Sequence, residues 1–166
     1  MSVYLDTSAA MKLAVEERES AELAKTLDAL APDTVVVSSW LLHAELRCAA
    51  ARRSGVSEDT IDAILDPLVL LDVERADLIN APQLGRGLRS QDAIHLSVAI
   101  RAGVESMFTY DLEQAVAARA AGITVLAPGT EIPPEELGPD SASWAAEVRR
   151  LRQQAELRDP WEPGRE

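Results

Sequence analysis

Short runs of β-branched and aliphatic residues alternate with longer stretches of helical periodicity along the first 126 residues. The short runs predict strands at residues 3–5, 35–37, 69–71, 107–109 and 124–126. The stretches between and after them predict helices at residues 9–16, 19–31, 40–53, 59–65, 75–84, 90–102 and 112–121. Strands separated by helices form βαβ units, so the sequence predicts an α/β fold whose parallel sheet carries helices on both faces.

The 166-residue chain is long enough for one well-buried domain, and its pattern changes after residue 126. We expect residues 1–130 to form the α/β domain and the proline-rich stretch 131–139 to be a linker. In residues 140–166, apolar side chains recur at helical spacing at Trp144, Val148, Leu151 and Ala155. This pattern predicts an amphipathic helix followed by an extended tail, and its narrow apolar stripe needs a surface to pack against.

The sequence shows no pattern of export, membrane insertion or disulfide formation. Residues 1–6 lack the basic region and apolar core of a signal peptide, and no apolar run approaches the roughly 20 residues of a membrane span. The single cysteine, Cys48, stands among alanines and is predicted to be a small buried side chain. We therefore expect a cytoplasmic protein without membrane contact.

The net charge of −12 is unusual for a protein that binds nucleic acid, because such affinity normally comes from neutralising phosphates. Two interpretations are compatible with this charge. Either the chain avoids polyanions, or it approaches them through bound cations and a local basic patch. Composition does not choose between the two.

Two aspartates follow predicted strands that should end at the same edge of the sheet. Asp6 comes directly after the first strand, and Asp111 comes shortly after the fourth. Ligands of parallel α/β sheets bind at the carboxyl ends of the strands. Aspartate is also a favoured helix cap, so each residue alone fits that structural role equally well.

Two further acidic residues fall within predicted helices. Glu45 lies four residues from both Leu41 and Ala49, on the stripe expected to face inward, where a carboxylate is costly unless it is paired or binds a metal. A salt bridge with a neighbouring arginine is the alternative. Asp92 begins an otherwise apolar helix, where a favourable interaction with the helix dipole is an equally simple explanation.

Taken together, the four acids indicate a cation site. Several carboxylates that converge on one pocket repel each other, and a divalent cation removes that conflict. Clustered hard oxygen ligands are what Mg²⁺ or Mn²⁺ prefers. Such a cation lowers the pKa of a bound water and stabilises charge on a phosphoryl oxygen.

Four segments of the chain resemble the PIN domain of VapC toxins in order, spacing and predicted context over residues 1–130. The segments are Leu5-Asp6-Thr7-Ser8-Ala9, His43-Ala44-Glu45-Leu46, Gln91-Asp92-Ala93-Ile94-His95-Leu96 and Phe108-Thr109-Tyr110-Asp111. The resemblance implies a PIN-like, doubly wound parallel sheet, a homodimer and Mg²⁺ or Mn²⁺ at the acidic pocket. It also implies endoribonuclease activity on an RNA substrate, restrained by a cognate VapB-like antitoxin.

By this resemblance, Asp6, Glu45 and Asp92 are direct metal ligands, and Asp111 is either a fourth ligand or an acid that supports one. Thr7 or Ser8 would hydrogen-bond a ligand carboxylate or the scissile phosphate. The implied reaction is in-line attack of an activated water on an RNA phosphodiester, leaving a 5′-phosphate, with one metal ion or two.

The two histidines, His95 and His43, are assigned no catalytic role from the sequence. His95 lies three residues after Asp92 on an apolar helix and is interpreted as structural. His43 lies two residues before Glu45 and therefore points elsewhere on its helix. Arg47, Arg86 and Arg89 flank the acidic segments and are candidate RNA contacts.

The resemblance to VapC ends near residue 130. The predicted helix and the ending Arg158-Asp159-Pro160-Trp161-Glu162 resemble the toxin-wrapping C-terminal segment of a VapB antitoxin. Such a segment places apolar side chains in a groove and inserts an arginine among the acids. The candidate inserted residues are Arg149, Arg150, Arg152 and Arg158. An ordinary terminal helix or a dimerisation arm is the alternative.

Three rival functions make different demands on the sequence. A haloacid-dehalogenase phosphatase needs a second aspartate two residues after the first, where this chain has Ser8. A receiver domain needs a lysine near its end, whereas Lys12 and Lys25 are the lysines of this domain. A PIN-like scaffold that binds RNA or a protein without cleavage remains the non-enzymatic alternative, and it predicts no stabilisation by Mn²⁺.

Overall fold

The fold is described from a computed structural model that covers residues 1–52, 55–84 and 87–133, together with residues 146, 149–151 and 153–154. Up to residue 126, the described residues form five strands, and one or two helices separate each strand from the next, giving seven helices. The strands are β1 (Ser2–Leu5), β2 (Val35–Ser39), β3 (Val69–Leu71), β4 (Ser106–Phe108) and β5 (Thr124–Leu126). The helices are α1 (Thr7–Ala14), α2 (Ser20–Asp28), α3 (Trp40–Arg52), α4 (Glu58–Leu65), α5 (Arg75–Leu84), α6 (Ser90–Arg101) and α7 (Leu112–Ala120).

The strands form one parallel sheet in the order β3-β2-β1-β4-β5. The chain builds outward from β1 in one direction through β2 and β3, and then in the other direction through β4 and β5. The prediction of a doubly wound α/β fold is therefore confirmed. The reversal lies between β1 and β4, and ligands of such sheets bind in the crevice outside the strand ends at this position.

Two apolar clusters cover the two faces of the sheet. Successive side chains of a strand point to opposite faces, and the clusters follow this rule in β1. Val3 and Leu5 belong to one cluster, whereas Tyr4 belongs to the other. The sheet is therefore buried on both sides, which explains why its strands appear in the sequence as continuous apolar runs.

Two glycines end the helices that lead into the last two strands. Gly103 follows α6 with φ +65°, and Gly122 follows α7 with φ +75°. In both turns the next residue donates a backbone hydrogen bond to a carbonyl five residues earlier, from Val104 to Ala99 and from Ile123 to Ala118. This geometry requires the left-handed conformation that glycine adopts without steric cost. It directs the chain straight into β4 and β5.

Cys48 is exposed, which corrects the prediction that it is buried. Helix α3 turns Leu42 and Leu46 into the core. Cys48 is two residues beyond Leu46, about 200° further around the helix, so its alanine neighbours do not bring it into the core. Among the residues that the structure describes, no helix is long and apolar enough to cross a membrane.

A buried ion pair joins α5 to α6. Asp77 of α5 is buried and accepts hydrogen bonds from Nε and Nη2 of Arg101 at 2.9–3.2 Å, as well as from the Glu74 backbone amide at 2.9 Å. Arg101 also donates to the Asp72 carbonyl at 2.7 Å. The hydrogen bonds from Arg101 and Glu74 compensate the cost of burying the Asp77 carboxylate.

We expect Asp77→Ala to lower the free energy of unfolding by about 3 kcal/mol, because the half-buried Arg101 guanidinium loses its main partner. Asp72→Ala is the matched control, because the exposed side chain of Asp72 takes no part in the interaction and only its carbonyl does. Urea denaturation followed by circular dichroism measures both variants. Equal stabilities of the two variants would show that the Asp77–Arg101 pair does not stabilise the α5–α6 contact.

Candidate metal centre

The pairing of β1 with β4 brings two of the predicted acids to the same edge of the sheet. Leu5 pairs with Phe108, and the Asp6 backbone amide donates to the Phe108 carbonyl at 3.0 Å. Asp6 then caps α1, and Asp111 caps α7 a few residues beyond the end of β4. The structure thus places both residues at the reversal of the strand order, where a ligand site is expected.

The Asp6 carboxylate uses its two oxygens differently. Oδ2 accepts hydrogen bonds from Ser8 Oγ at 2.8 Å, from Thr109 Oγ1 at 3.0 Å and from the Ser8 backbone amide at 3.3 Å. Oδ1 is buried and has no hydrogen-bond partner among the residues that the structure describes. A buried carboxylate oxygen without a partner is costly, and a cation at this position would satisfy it.

Ser8 and Thr109 connect Asp6 to the loop that carries Asp111. The Ser8 hydroxyl accepts from the Tyr110 backbone amide at 2.9 Å, and the Thr109 hydroxyl accepts from the Asp111 backbone amide at 3.2 Å. Each hydroxyl donates its own proton to Asp6. Thr109 was not predicted as a site residue. Its position between β4 and Asp111, beside the carboxyl end of β1, was the signal that could have identified it.

Glu45 reaches the site from the second turn of α3. Its Oε2 accepts hydrogen bonds from Thr7 Oγ1 at 2.5 Å and from His95 Nε2 at 2.8 Å. Burial opposes ionisation of this carboxyl, but the hydrogen bonds from His95 and Thr7 outweigh it and lower the pKa of Glu45 below its ordinary value. Glu45 is therefore a carboxylate whose Oε1 is left for another partner. The salt bridge with an arginine, considered from the sequence, is replaced by this interaction with histidine and threonine.

Asp92 lies in the first turn of α6, where the charges of the other acids act on it. Burial and the negative charges of Asp6, Asp111 and Glu45 raise the pKa of Asp92 from 3.8 to about 6, although His95 acts in the opposite direction. The charges of the other three predicted acids therefore all oppose ionisation of Asp92.

Asp111 caps a helix and also lies near the other predicted acids. Its Oδ1 accepts from the Gln114 backbone amide at 2.8 Å and thereby caps α7. The described hydrogen bonds of Asp6, Glu45 and Asp111 thus each end on a single oxygen of the carboxylate. This leaves a second oxygen of each residue for a cation.

The donor set fits a hard divalent cation, but the side chains are not closed around one. Within the described part of the chain, no group of three or more His, Cys, Asp or Glu residues already forms a metal-holding arrangement. Asp92 is only partly buried, so its side chain has room to rotate. The chemistry of four carboxylates, with a buried oxygen on Asp6 that lacks a described partner, suits a hard divalent cation.

The arginines predicted to contact RNA have different surroundings in the structure. Arg47 forms ion pairs with Glu58 and Asp62 of α4, so its guanidinium is already engaged. Arg89 is exposed at the start of α6, three residues before Asp92. Arg86 lies outside the described residues.

The candidate inhibitory arginines are only partly described. Arg149 and Arg150 are exposed and helical, whereas Arg152 and Arg158 lie outside the described residues. Leu151, which lies between Arg150 and Arg152 in the sequence, packs against the apolar cluster that contains Tyr4.

His95 is fully buried, in keeping with its interpretation as a structural residue, but it also contacts the site. Its Nε2 hydrogen-bonds Glu45 and lies 3.1 Å from Thr7 Oγ1. Its Nδ1 lies 2.7 Å from the Tyr4 hydroxyl. Sequence position did not reveal these contacts, because Glu45 and His95 lie on different helices and meet only through the fold. His43 instead packs against the ring of Trp40.

Comparisons with known proteins agree with the α/β fold. The family model described as "PIN domain" matches residues 3–120. Ribonuclease VapC46 of Mycobacterium tuberculosis (strain ATCC 25618 / H37Rv) is 38% identical over 130 residues, which cover 76% of this chain and 98% of that protein. Ribonuclease VapC35 of Mycobacterium tuberculosis (strain CDC 1551 / Oshkosh) is 36% identical over 135 residues, covering 76% and 97%.

Two solved structures share the fold at low sequence identity. The crystal structure of VapBC2 from Rickettsia felis, bound to a promoter DNA fragment, matches with a TM-score of 0.62 at 16% identity, covering 76% of this chain and 98% of that chain. FitAcB from Neisseria gonorrhoeae matches with a TM-score of 0.55 at 17% identity, covering 76% and 97%. The chain therefore belongs to the PIN-domain family, in its group of VapC ribonucleases.

In metal-free buffer, we expect Asp92→Asn to be more stable than the unmodified protein at pH 7.5. Because the pKa of Asp92 is higher in the folded state, the folded protein binds the extra proton, and the associated stability is lost as pH rises from 3.8 to about 6. Removing the charge should raise Tm at pH 7.5 by roughly 2 °C, the effect of about 1 kcal/mol in a domain of this size.

Thermal denaturation in EDTA at pH 4.0, 5.5 and 7.5 measures this difference, with the exposed Asp33→Asn as the control. As the pH rises from 4.0 to 7.5, the Tm of the unmodified protein should fall relative to the Tm of Asp92→Asn. A lower Tm for Asp92→Asn than for the unmodified protein at pH 7.5 would contradict mutual repulsion at this site.

Proposed function

We propose that this chain is a metal-dependent endoribonuclease and the toxin of a type II, VapBC-type toxin-antitoxin system. The observation that carries the proposal is the buried Asp6 oxygen that lacks a hydrogen-bond partner among the described residues, at the sheet edge where Asp111 also lies. Membership of the VapC ribonuclease group supplies the reaction class. Asp6, Glu45, Asp92 and Asp111 are the acidic residues that we propose for this reaction.

The cation would be held by Asp6, Glu45 and Asp92, with Asp111 as a further ligand or as a support for one. Mg²⁺ and Mn²⁺ are the ions that this all-oxygen donor set suits. When bound, such an ion lowers the pKa of water and stabilises negative charge on a phosphate oxygen, and products with a 5′-phosphate are expected. The chain itself holds the acids in position, through the hydroxyls of Ser8 and Thr109 on Asp6 and through Thr7 on Glu45.

RNA would approach a site whose own charge is negative, in a chain with a net charge of −12. Cations at the four acids offset this charge locally, and arginines at the rim can contact the phosphates. Arg89 is the better supported of the described candidates because it is exposed close to Asp92. A role for Arg47 competes with its ion pairs to Glu58 and Asp62.

The partners that we propose are an RNA substrate, a VapB-like antitoxin and a second copy of this chain. Membership of the VapC ribonuclease group and the similarity to VapBC2 of Rickettsia felis support the antitoxin partner. The homodimer and the cytoplasmic location follow from the family resemblance and stay predictions. An antitoxin would be expected to occupy or cover the acidic edge of the sheet.

The nuclease is tested with a pool of structured RNA in Mg²⁺ or Mn²⁺. We compare the full chain, a chain that ends at Thr130 and the shortened chain with Asp6→Asn. Defined 5′-phosphate products are expected from the shortened chain, and EDTA should abolish them. Asp6→Asn should lower the rate at least 100-fold, as expected when a ligand of a catalytic metal is lost.

The control for this experiment is folding. Circular dichroism and thermal denaturation must show that the shortened chain and its Asp6→Asn variant are folded. If folded proteins cleave neither tRNA nor rRNA, a non-cleaving PIN-like scaffold becomes the better explanation. A scaffold whose acids no longer bind metal would also show no increase in Tm with Mn²⁺.

We infer a second property, that the C-terminal region of residues 140–166 inhibits the nuclease in the manner of an antitoxin segment. The observation in its favour is that Leu151, the described residue of the predicted apolar stripe, packs against the apolar cluster of the α/β domain. An arginine among Arg149, Arg150, Arg152 and Arg158 would pair with the acids in the inhibited state. The alternative remains a terminal helix that only stabilises the domain.

Leu151→Asp in the full chain tests the inhibition without shortening the protein. A charge on this apolar contact should release the segment, so RNA cleavage should rise toward the rate of the chain ending at Thr130. Gln153→Asp, at a nearby exposed position, is the matched control. Unchanged cleavage by both Leu151→Asp and the shortened chain, relative to the full chain, would end the inhibitory interpretation.

A further inference from the structure

A continuous chain of hydrogen bonds runs from the sheet core to Glu45. The Tyr4 hydroxyl lies 2.7 Å from His95 Nδ1, and His95 Nε2 lies 2.8 Å from Glu45 Oε2. Tyr4 and His95 are fully buried. Ser39 Oγ lies 3.4 Å from the same Nδ1. Both ring nitrogens are therefore engaged, and the ring stands edge-on to Tyr4 with an interplanar angle of 74°.

The donor and acceptor of each hydrogen bond follow from the two groups, Tyr4 and Glu45, at the ends of this series of hydrogen bonds. An ionised Glu45 can only accept, so His95 Nε2 must carry a hydrogen. In a neutral imidazole Nδ1 is then the acceptor, and the Tyr4 hydroxyl is the donor that faces it. Burial raises the pKa of Tyr4 above its ordinary value, which keeps the hydroxyl protonated.

The arrangement differs from that of a histidine that only fills the core. Tyr4 and Ser39 could satisfy one nitrogen, but the other nitrogen is directed at a carboxylate in the acidic cluster. Thr7 donates to the same Glu45 oxygen at 2.5 Å. Oε2 is thus fixed by two donors from α1 and α6, and Oε1 is the oxygen presented to a partner.

We propose that Tyr4 and His95 are positioning residues that orient Glu45 for a divalent cation, with His95 Nε2–H donating to Glu45 and the Tyr4 hydroxyl holding the ring at Nδ1. The cation part of this inference rests on the proposed function, whereas the hydrogen-bond chain does not. Hydrogen-bond partners behind a metal ligand fix its orientation and tune its basicity, and their loss typically weakens metal binding by 10–100-fold.

Nitrogen NMR of the metal-free full chain tests the hydrogen-bond chain directly. The chain has two histidines, so His43→Gln assigns the remaining imidazole to His95. We expect Nε2 to carry a hydrogen that is hydrogen-bonded to Glu45. Tyr4→Phe removes the hydroxyl that faces Nδ1 and should shift the Nδ1 resonance. A His95 imidazole whose Nε2 carries no hydrogen in the unmodified protein would overturn this part of the inference.

Mn²⁺ affinity, measured from the free-ion signal in electron paramagnetic resonance, tests the positioning role. His95→Gln places an amide nitrogen near the position of Nε2 and keeps a donor for Glu45, whereas the shorter His95→Asn does not reach it. We expect His95→Asn to raise the Kd for Mn²⁺ about 10–100-fold. The Kd of His95→Gln should be roughly tenfold lower than that of His95→Asn. Tyr4→Phe should fall between the two, and His43→Gln should bind as the unmodified protein does.

The outcomes separate this inference from the proposed function. If the unmodified chain does not bind Mn²⁺, the proposed metal-dependent function fails, and the NMR spectrum alone decides the hydrogen-bond chain. If Mn²⁺ binds and Asp6→Asn abolishes binding, but His95→Asn and Tyr4→Phe bind normally, the positioning role is wrong. Should His95→Asn not fold, unchanged Mn²⁺ affinity in Tyr4→Phe together with an unchanged His95 Nδ1 resonance is the result that overturns it.

Discussion

Electrostatic repulsion among carboxylates at one edge of a parallel sheet is the interaction on which the rest of this site depends. It is visible in Asp92, whose pKa is raised to about 6 by burial and by the charges of Asp6, Asp111 and Glu45. The fold stabilises these charges because one oxygen of each of Asp6, Glu45 and Asp111 accepts a hydrogen bond from a neutral donor. The remaining oxygens are the groups that we propose for binding a divalent cation.

The helix caps show how one residue serves the fold and the site together. From the sequence, Asp6 and Asp111 were either caps or ligands, and these interpretations looked like alternatives. The structure shows that both residues cap helices, α1 and α7, through a single oxygen. A carboxylate has two oxygens, so capping leaves the second one for another role. The positive end of the helix dipole also helps to hold each of these charges at the sheet edge.

The strand β1 links the core of the protein to the site through the alternation of its side chains. Val3 and Leu5 pack on one face of the sheet, Tyr4 packs on the other, and Asp6 follows at the carboxyl end. Tyr4 is therefore placed to contact His95 of α6, which in turn contacts Glu45 of α3. A displacement of β1 by one residue would exchange these faces, so the site depends on the register of the sheet core.

The sequence by itself determined the elements, because strand and helix patterns are local. Strands at 69–71 and 124–126 and the helix at 75–84 have the bounds predicted from apolar periodicity, and the four acids could be selected from their positions after strands and on helices. Only the tertiary structure decided which groups meet. It showed that Cys48 is exposed, that Arg47 pairs with α4, and that His95 holds Glu45 from 50 residues away in sequence. These contacts depend on strand order, strand register and helix rotation. All three are set by packing over the whole sheet, so no local sequence pattern reveals them.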